Sequence, residues 1–144
     1  MSKTKATKAE EVKRSWHLLD AKDQVLGRIS SKAARLLMGK NKPYYAPYLD
    51  VGDYVVVVNA RGVKVTGRKE TEKIYRRYTG YPGGLREEKL ADLRKRRPEE
   101  IIRHAVVGML PRGKLGRKMI TKLYVYSGEE GEMVDKARKE GRNA

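Results

Sequence analysis

Apolar residues along this chain come in short groups, and their spacing predicts strands alternating with helices. Trp16, His17, Leu18 and Leu19 form a compact run ended by a turn from Asp20 to Asp23, which reads as a strand and its exit. Across 27–38 the period lengthens. Ile29, Ala33, Leu36 and Leu37 share one side of a helix, while Arg28, Lys32 and Arg35 fall at i, i+4 and i+7 on another. Gly39 stands where such a helix ends. Residues 54–59, Tyr-Val-Val-Val-Val-Asn, are a continuous β-branched run, the pattern of a central strand covered on both faces.

Further along, Val63 and Val65 precede a turn at 66–69, residues 74–78 have strand character, and Gly83 and Gly84 mark a loop. Residues 87–97 are highly charged and read as helix. Pro98 suits a first helical position, and Glu99 and Glu100 complement the positive end of a helix running to about Leu110. A helical turn at 118–122 leads into a last strand at 123–126. The alternation favours an α/β fold with a largely parallel sheet. Residues 1–14 have almost nothing apolar to bury and read as a flexible basic arm. Residues 15–127 then form a single α/β domain, and 128–144 a frayed tail or short helix.

Charge changes what this fold is for. The 144 residues hold 34 Lys and Arg against 18 Asp and Glu, a net charge of +16. The excess lies in the body, because residues 1–15, 16–126 and 127–144 carry +3, +14 and −1. A cationic surplus of this size calls for a polyanion, nucleic acid before a membrane surface. The longest aliphatic run, 55–58, is too short to cross a bilayer, and residues 1–14 lack the apolar segment of a secretory signal. Without cysteine there are no disulfides or zinc knuckles, which fits an intracellular location.

Catalytic chemistry finds little support. The two histidines, His17 and His104, sit in a strand and on a helix, and a packing or surface role accounts for both. Asp20 with Asp23 and Asp50 with Asp53 could gather carboxylates, but both pairs flank turns, where Asp bonds nearby backbone N–H groups. No metal, cofactor or small-molecule substrate is expected. The stretch 108–117 is the sharpest feature: three glycines, a proline and three cations, with no carboxylate between Glu100 and Glu129. Glycines admit close backbone approach and cations supply charge, so the stretch suits phosphate. Its first seven residues spell GxxxxGK, yet Leu115 replaces the hydroxyl that a nucleotide-binding P-loop uses to hold magnesium. A helix precedes it where a P-loop needs a strand, and Pro111 removes an N–H. A P-loop-like nucleotidase is therefore the weaker alternative.

Residues 73–81 interleave cations with tyrosines, a pattern suited to phosphates and unpaired bases. Cations spread over several loops, with no helix-turn-helix or basic-zipper spacing, favour a folded RNA over sequence-specific DNA.

A set of ordered fragments then carries a resemblance. Trp-His-Leu-Leu-Asp at 16–20, Leu-Gly-Arg at 26–28, Gly-Asp-Tyr-Val at 52–55, Asn-Ala at 59–60 and Val-Thr-Gly at 65–67 open the set. Tyr-Thr-Gly at 78–80, Gly-Gly at 83–84, Arg-Pro-Glu at 97–99, Ala-Val-Val-Gly-Met-Leu-Pro at 105–111, Gly-Arg at 116–117 and Leu-Tyr-Val-Tyr at 123–126 close it. In this order they resemble the bacterial form of the L-thirteen family of large-ribosomal-subunit proteins. The resemblance implies a three-layer α/β/α fold around a small, mostly parallel four-stranded sheet. It implies a non-enzymatic structural role in the cytoplasmic ribosome, binding large-subunit rRNA, supporting its assembly and touching neighbouring large-subunit proteins. An RNA-binding translational regulator acting off the ribosome is the alternative that the same residues leave open. The implied RNA-facing positions are Lys40, Lys42, Tyr44 and Tyr45 of a connector, then Thr66, Gly67, Arg68 and Lys69. They continue with Lys73, Arg76, Arg77, Tyr78 and Tyr81, and end with Arg112, Gly113, Lys114, Gly116, Arg117 and Lys118. After Tyr126 the family commonly has a segment with histidine and proline, whereas this chain has Ser-Gly-Glu-Glu-Gly at 127–131.

Overall fold

A computed structural model of the chain describes residues 6–143. Strand β1 (Trp16–Asp20) is followed by helix α1 (Leu26–Met38), strand β2 (Tyr54–Val58) and the single turn of α2 (Lys69–Glu72). A hairpin of β3 (Ile74–Tyr78) and β4 (Leu85–Lys89) runs directly into α3 (Leu90–Arg96). The chain continues through α4 (Pro98–Met109), α5 (Lys114–Ile120), β5 (Leu123–Val125) and α6 (Val134–Asn143).

The mixed α/β expectation holds, with a change in the sheet. β1, β2 and β5 form a parallel sheet in that order, so the described residues give it three strands where four were expected. The segment 74–78 does not join it. It pairs antiparallel with β4, Ile74 opposite Lys89 and Tyr78 opposite Leu85. This also corrects the helix expected over 87–97, whose first three residues lie in β4. Glu87, Glu88 and Lys89 are good helix formers, but cross-strand pairing overrides a propensity of a few tenths of a kcal/mol per residue. Past the ends of β1 and β2, Val25 and Lys64 make one further parallel bridge.

The valine run of β2 explains the packing. Val55 and Val57 share a buried cluster with Ile29, Leu37, Ile102 and Val106 of α1 and α4. Val56 and Val58 point the other way and pack with Val134 and Ala137 of α6. Alternation sends successive side chains to opposite faces, so a strand buried on both reads as an unbroken apolar run. Full burial of each valine contributes about 1.5–3 kcal/mol.

The described parts of both terminal segments touch this body. Part of the 128–144 segment is α6, where Glu140 Oε2 accepts from the Trp16 backbone N–H (3.0 Å). Trp16 in turn stacks on Tyr54, with ring centroids 4.5 Å apart. Of the arm expected over 1–14, residues 1–5 lie outside the described residues. Ala9–Glu11 form a 3-10 turn, and the Thr7 hydroxyl donates to the Tyr44 carbonyl (3.1 Å), so this segment reaches the connector.

Candidate nucleic-acid interface

The basic stretch becomes a corner between two helices. α4 ends at Met109, and Gly113 has φ +121°, a backbone conformation that L side chains rarely adopt. A Cβ on Gly116 would lie 1.8 Å from the Pro111 carbonyl oxygen, so only glycine lets α5 fold back so tightly. α5 begins at Lys114, four residues before the helical turn expected at 118–122. Leu115 and Met119, at i and i+4, turn one side of it to the core. Gly108 lies inside α4 while Lys114 opens α5, so GxxxxGK is divided between two helices and forms no P-loop.

This corner leaves its charge free. Arg112, Lys114, Arg117 and Lys118 are exposed, and none forms an ion pair with a described residue. Beside them lies a cavity of about 230 Å³, walled by Val107, Leu110, Pro111 and Ile120 and rimmed by Arg112 and Arg117. Sequence reasoning identified the rim and missed the walls. Val107 is half exposed, and only the return of α5 reveals that it lines a slot.

At the hairpin the charge is partly spent. Arg76 Nε donates to Glu87 Oε1 (2.6 Å) across the strands, and Arg96 Nη2 to Glu88 Oε2 (2.6 Å). Arg77 stands opposite Arg86, a like-charge pair that favours an anion between them. These side chains line a groove of about 790 Å³ together with Arg97, Glu100 and His104. Tyr75 is half-buried against His104, with ring centroids 5.3 Å apart. Burial pushes its hydroxyl pKa up, against the nearby Arg94 guanidinium. Tyr78 and Tyr81, in contrast, are 64% and 75% exposed. The Lys73 amine sits over the Tyr75 ring, 5.0 Å from its centroid. Arg94, in contrast, is an internal brace: it donates to the carbonyls of Arg61 and Val63 and to Glu70.

At the connector, Lys42 is turned inward. Its amine donates to the Lys13 carbonyl (2.6 Å), the Val51 carbonyl (2.8 Å) and Asp53 Oδ1 (2.5 Å). An ammonium has three donors, and here three acceptors take them. The Tyr44 hydroxyl also donates to Lys13 O (3.4 Å), whereas Lys40 and Tyr45 are exposed. Asp53 is the hub. Ser15 N–H donates to Oδ1 and His17 Nε2 to Oδ2, both near 3 Å. Burial works against its ionisation, but the hydrogen bonds from His17, Lys42 and Ser15 prevail and hold its pKa at about 2. Next to it the buried Lys122 amine donates to Asp50 Oδ1 and to the Gly52 carbonyl. Burial pushes the Lys122 pKa down and the Asp50 carboxylate opposes it. The Asp50 and Asp53 pair thus binds cations of the chain itself.

Thr66, Gly67, Arg68 and Lys69 form an exposed turn into α2, with Arg68 Nη1 3.8 Å from Glu72 Oε1. The expected positions therefore gather at two places, Arg112, Gly113, Gly116 and Arg117 around the slot and Arg76 and Arg77 in the groove. The connector and the 66–69 turn line neither.

Across this body the family model for Ribosomal protein L13 matches residues 14–132. The chain belongs to the ribosomal protein L13 family. Among curated members, "Large ribosomal subunit protein uL13" of Nostoc sp. is 52% identical over 128 residues, spanning 89% of this chain and 85% of the relative. The protein of the same name from Solibacter usitatus is 54% identical over 119 residues, 83% of each chain. That of Dictyoglomus thermophilum is 54% identical over 128 residues, 89% of this chain and 90% of the relative. The match to the L13 family ends inside the segment that leads to α6.

Proposed function

We propose that this chain is a structural protein of the large ribosomal subunit, bound to large-subunit rRNA and supporting its assembly in the cytoplasmic ribosome. Family membership across 14–132 carries this reading, and the family is one of structural proteins and not of enzymes. Neighbouring large-subunit proteins are its other partners. Among the described residues no helix is long and apolar enough to cross a membrane.

The RNA contacts fall on the exposed cations and tyrosines. Arg112, Lys114, Arg117 and Lys118 meet phosphates at the corner, with Gly113 and Gly116 setting its shape. Arg76, Arg77, Tyr78 and Tyr81 serve the hairpin, with Lys73 at its base. Lys40, Tyr45, Thr66, Gly67, Arg68 and Lys69 add loop contacts, while Lys42 and Tyr44 shape the connector from within. Residues 15–127 act as one RNA-binding domain between a basic arm (1–14) and a tail (128–144). The opposite packing of α1 with α4 and of α6 on the two faces of β2 supports a three-layer α/β/α arrangement.

Co-sedimentation with large subunits through a high-salt sucrose cushion tests this reading. The chain is expected in the subunit pellet, and its retention in the supernatant overturns the ribosomal assignment. With ~6–10 phosphates neutralised, affinity for an rRNA fragment falls by about 10³–10⁵ between 50 and 200 mM salt.

A further inference from the structure

We propose that the slot between α4 and α5 takes a single unstacked RNA base, whose flanking phosphates are met by Arg112 and Arg117. This rests on the rRNA-binding function above and adds to it a defined nucleotide subsite. Three observations carry it. At about 230 Å³ the slot is smaller than the ~300–1,000 Å³ of sites for drug-sized ligands, so it suits one planar group and not a whole cofactor. Its lining is largely apolar, from Val107, Leu110, Pro111 and Ile120, and Arg112 and Arg117, each with a guanidinium group, also line it. Those guanidinium groups have no ion-pair partner among the described residues.

An apolar side chain of a neighbouring protein would satisfy the walls and leave the rim uncompensated. A nucleotide satisfies both, because its base has apolar faces that also stack on guanidinium planes, and its phosphates are anionic. The surroundings extend the match. Glu100 and His104 line the hairpin groove and Val107 lines the slot, and these residues stand at i, i+4 and i+7 of α4. Groove and slot thus follow one another along a single side of the helix, about 10 Å from Glu100 to Val107. A single strand lying on that side brings its backbone past Arg77 and Arg86 before the base enters the slot.

The test measures binding of the full chain to a large-subunit rRNA fragment across a salt series. Val107→Gln narrows the slot and makes one wall polar at a half-exposed position, without changing charge. It is expected to weaken binding roughly tenfold with an unchanged salt slope, as for the loss of part of the apolar burial of one base. Arg117→Ala is expected to make the slope shallower by about 1. In native protein, 4-thiouridine placed along the fragment is expected to photocrosslink to the 107–117 peptide at one nucleotide. Native affinity for Val107→Gln, or crosslinks that avoid this peptide while the chain still binds, overturns the slot and leaves the RNA function standing. Native RNA affinity together with loss of a neighbouring large-subunit protein from the particle assigns the slot to protein and likewise overturns it. Failure of the native chain to bind any such fragment removes both.

Discussion

The connector at 40–48 and the corner at 110–118 look alike as sequence, each a proline-punctuated stretch whose charged residues are all basic, and the fold uses them in opposite ways. At the connector, Asp53 collects Lys42, His17 and the Ser15 N–H, so the cation becomes a tether for residues 13–15. In the corner no carboxylate of a described residue pairs with Arg112, Lys114, Arg117 or Lys118, and these side chains keep their charge for a partner. The hairpin lies between these extremes, with Arg76 paired to Glu87 and Arg77 facing Arg86. Local density of Lys and Arg is therefore a poor measure of available charge; what counts is whether the fold delivers a carboxylate.

Stability and RNA binding should separate along this line. The largest effect is expected from Asp53→Ala, which leaves the Lys42 amine mostly buried without its counter-charge. Loss of a buried partner of this kind costs about 3 kcal/mol, or roughly 10 °C in Tm, read by urea and thermal unfolding. The salt slope of RNA binding should stay native; a shallower slope would mean that the connector lends its charge to RNA. Next comes the combined Arg112→Ala, Lys114→Ala and Arg117→Ala variant. Its affinity for rRNA should drop roughly ten- to a hundredfold, with the slope shallower by about 2.7, while Tm stays within a few degrees. An equal loss of stability would recast the corner as a folding element.

Acid should sharpen the same contrast. Asp53 is held at about 2, below its ordinary 3.8, so its contribution is full above about pH 4 and is lost as pH falls through 2. The stability gap between native protein and Asp53→Asn should narrow over that window, and a gap that widens would contradict the network. The smallest effect belongs to the hairpin. A double-mutant cycle on Arg76 and Glu87 should give a coupling of about 0.2–1 kcal/mol, as for other exposed pairs. A coupling above ~2 kcal/mol would make the pair a structural clamp like that at Asp53.

Much of the fold was legible because burial imposes periodicity. The 3.6-residue spacing in α1, the proline and glutamates opening α4, and the valine run of β2 each record a face that must leave water. Charged segments were less legible. β4 carries no apolar period, and only pairing with β3 makes it a strand. At the corner, the glycines suggested close approach to a ligand, whereas Gly116 serves the close approach of the chain to its own Pro111 carbonyl. The rim of the candidate site stood in the sequence as Arg112 and Arg117. Its walls did not, because Val107 and Ile120 look like ordinary helix residues until α4 and α5 meet.

By itself, then, the sequence determined the α/β alternation, the surplus of positive charge and the ordered motifs of the L13 family, all properties of composition and short-range spacing. Only the tertiary structure decided which cations are free. Ion pairing falls off within a few ångströms, and the partners of Lys42 and Lys122 lie 11 and 72 residues away along the chain. The same long-range closure that sequesters those two lysines leaves the corner charged and opens the slot beside it.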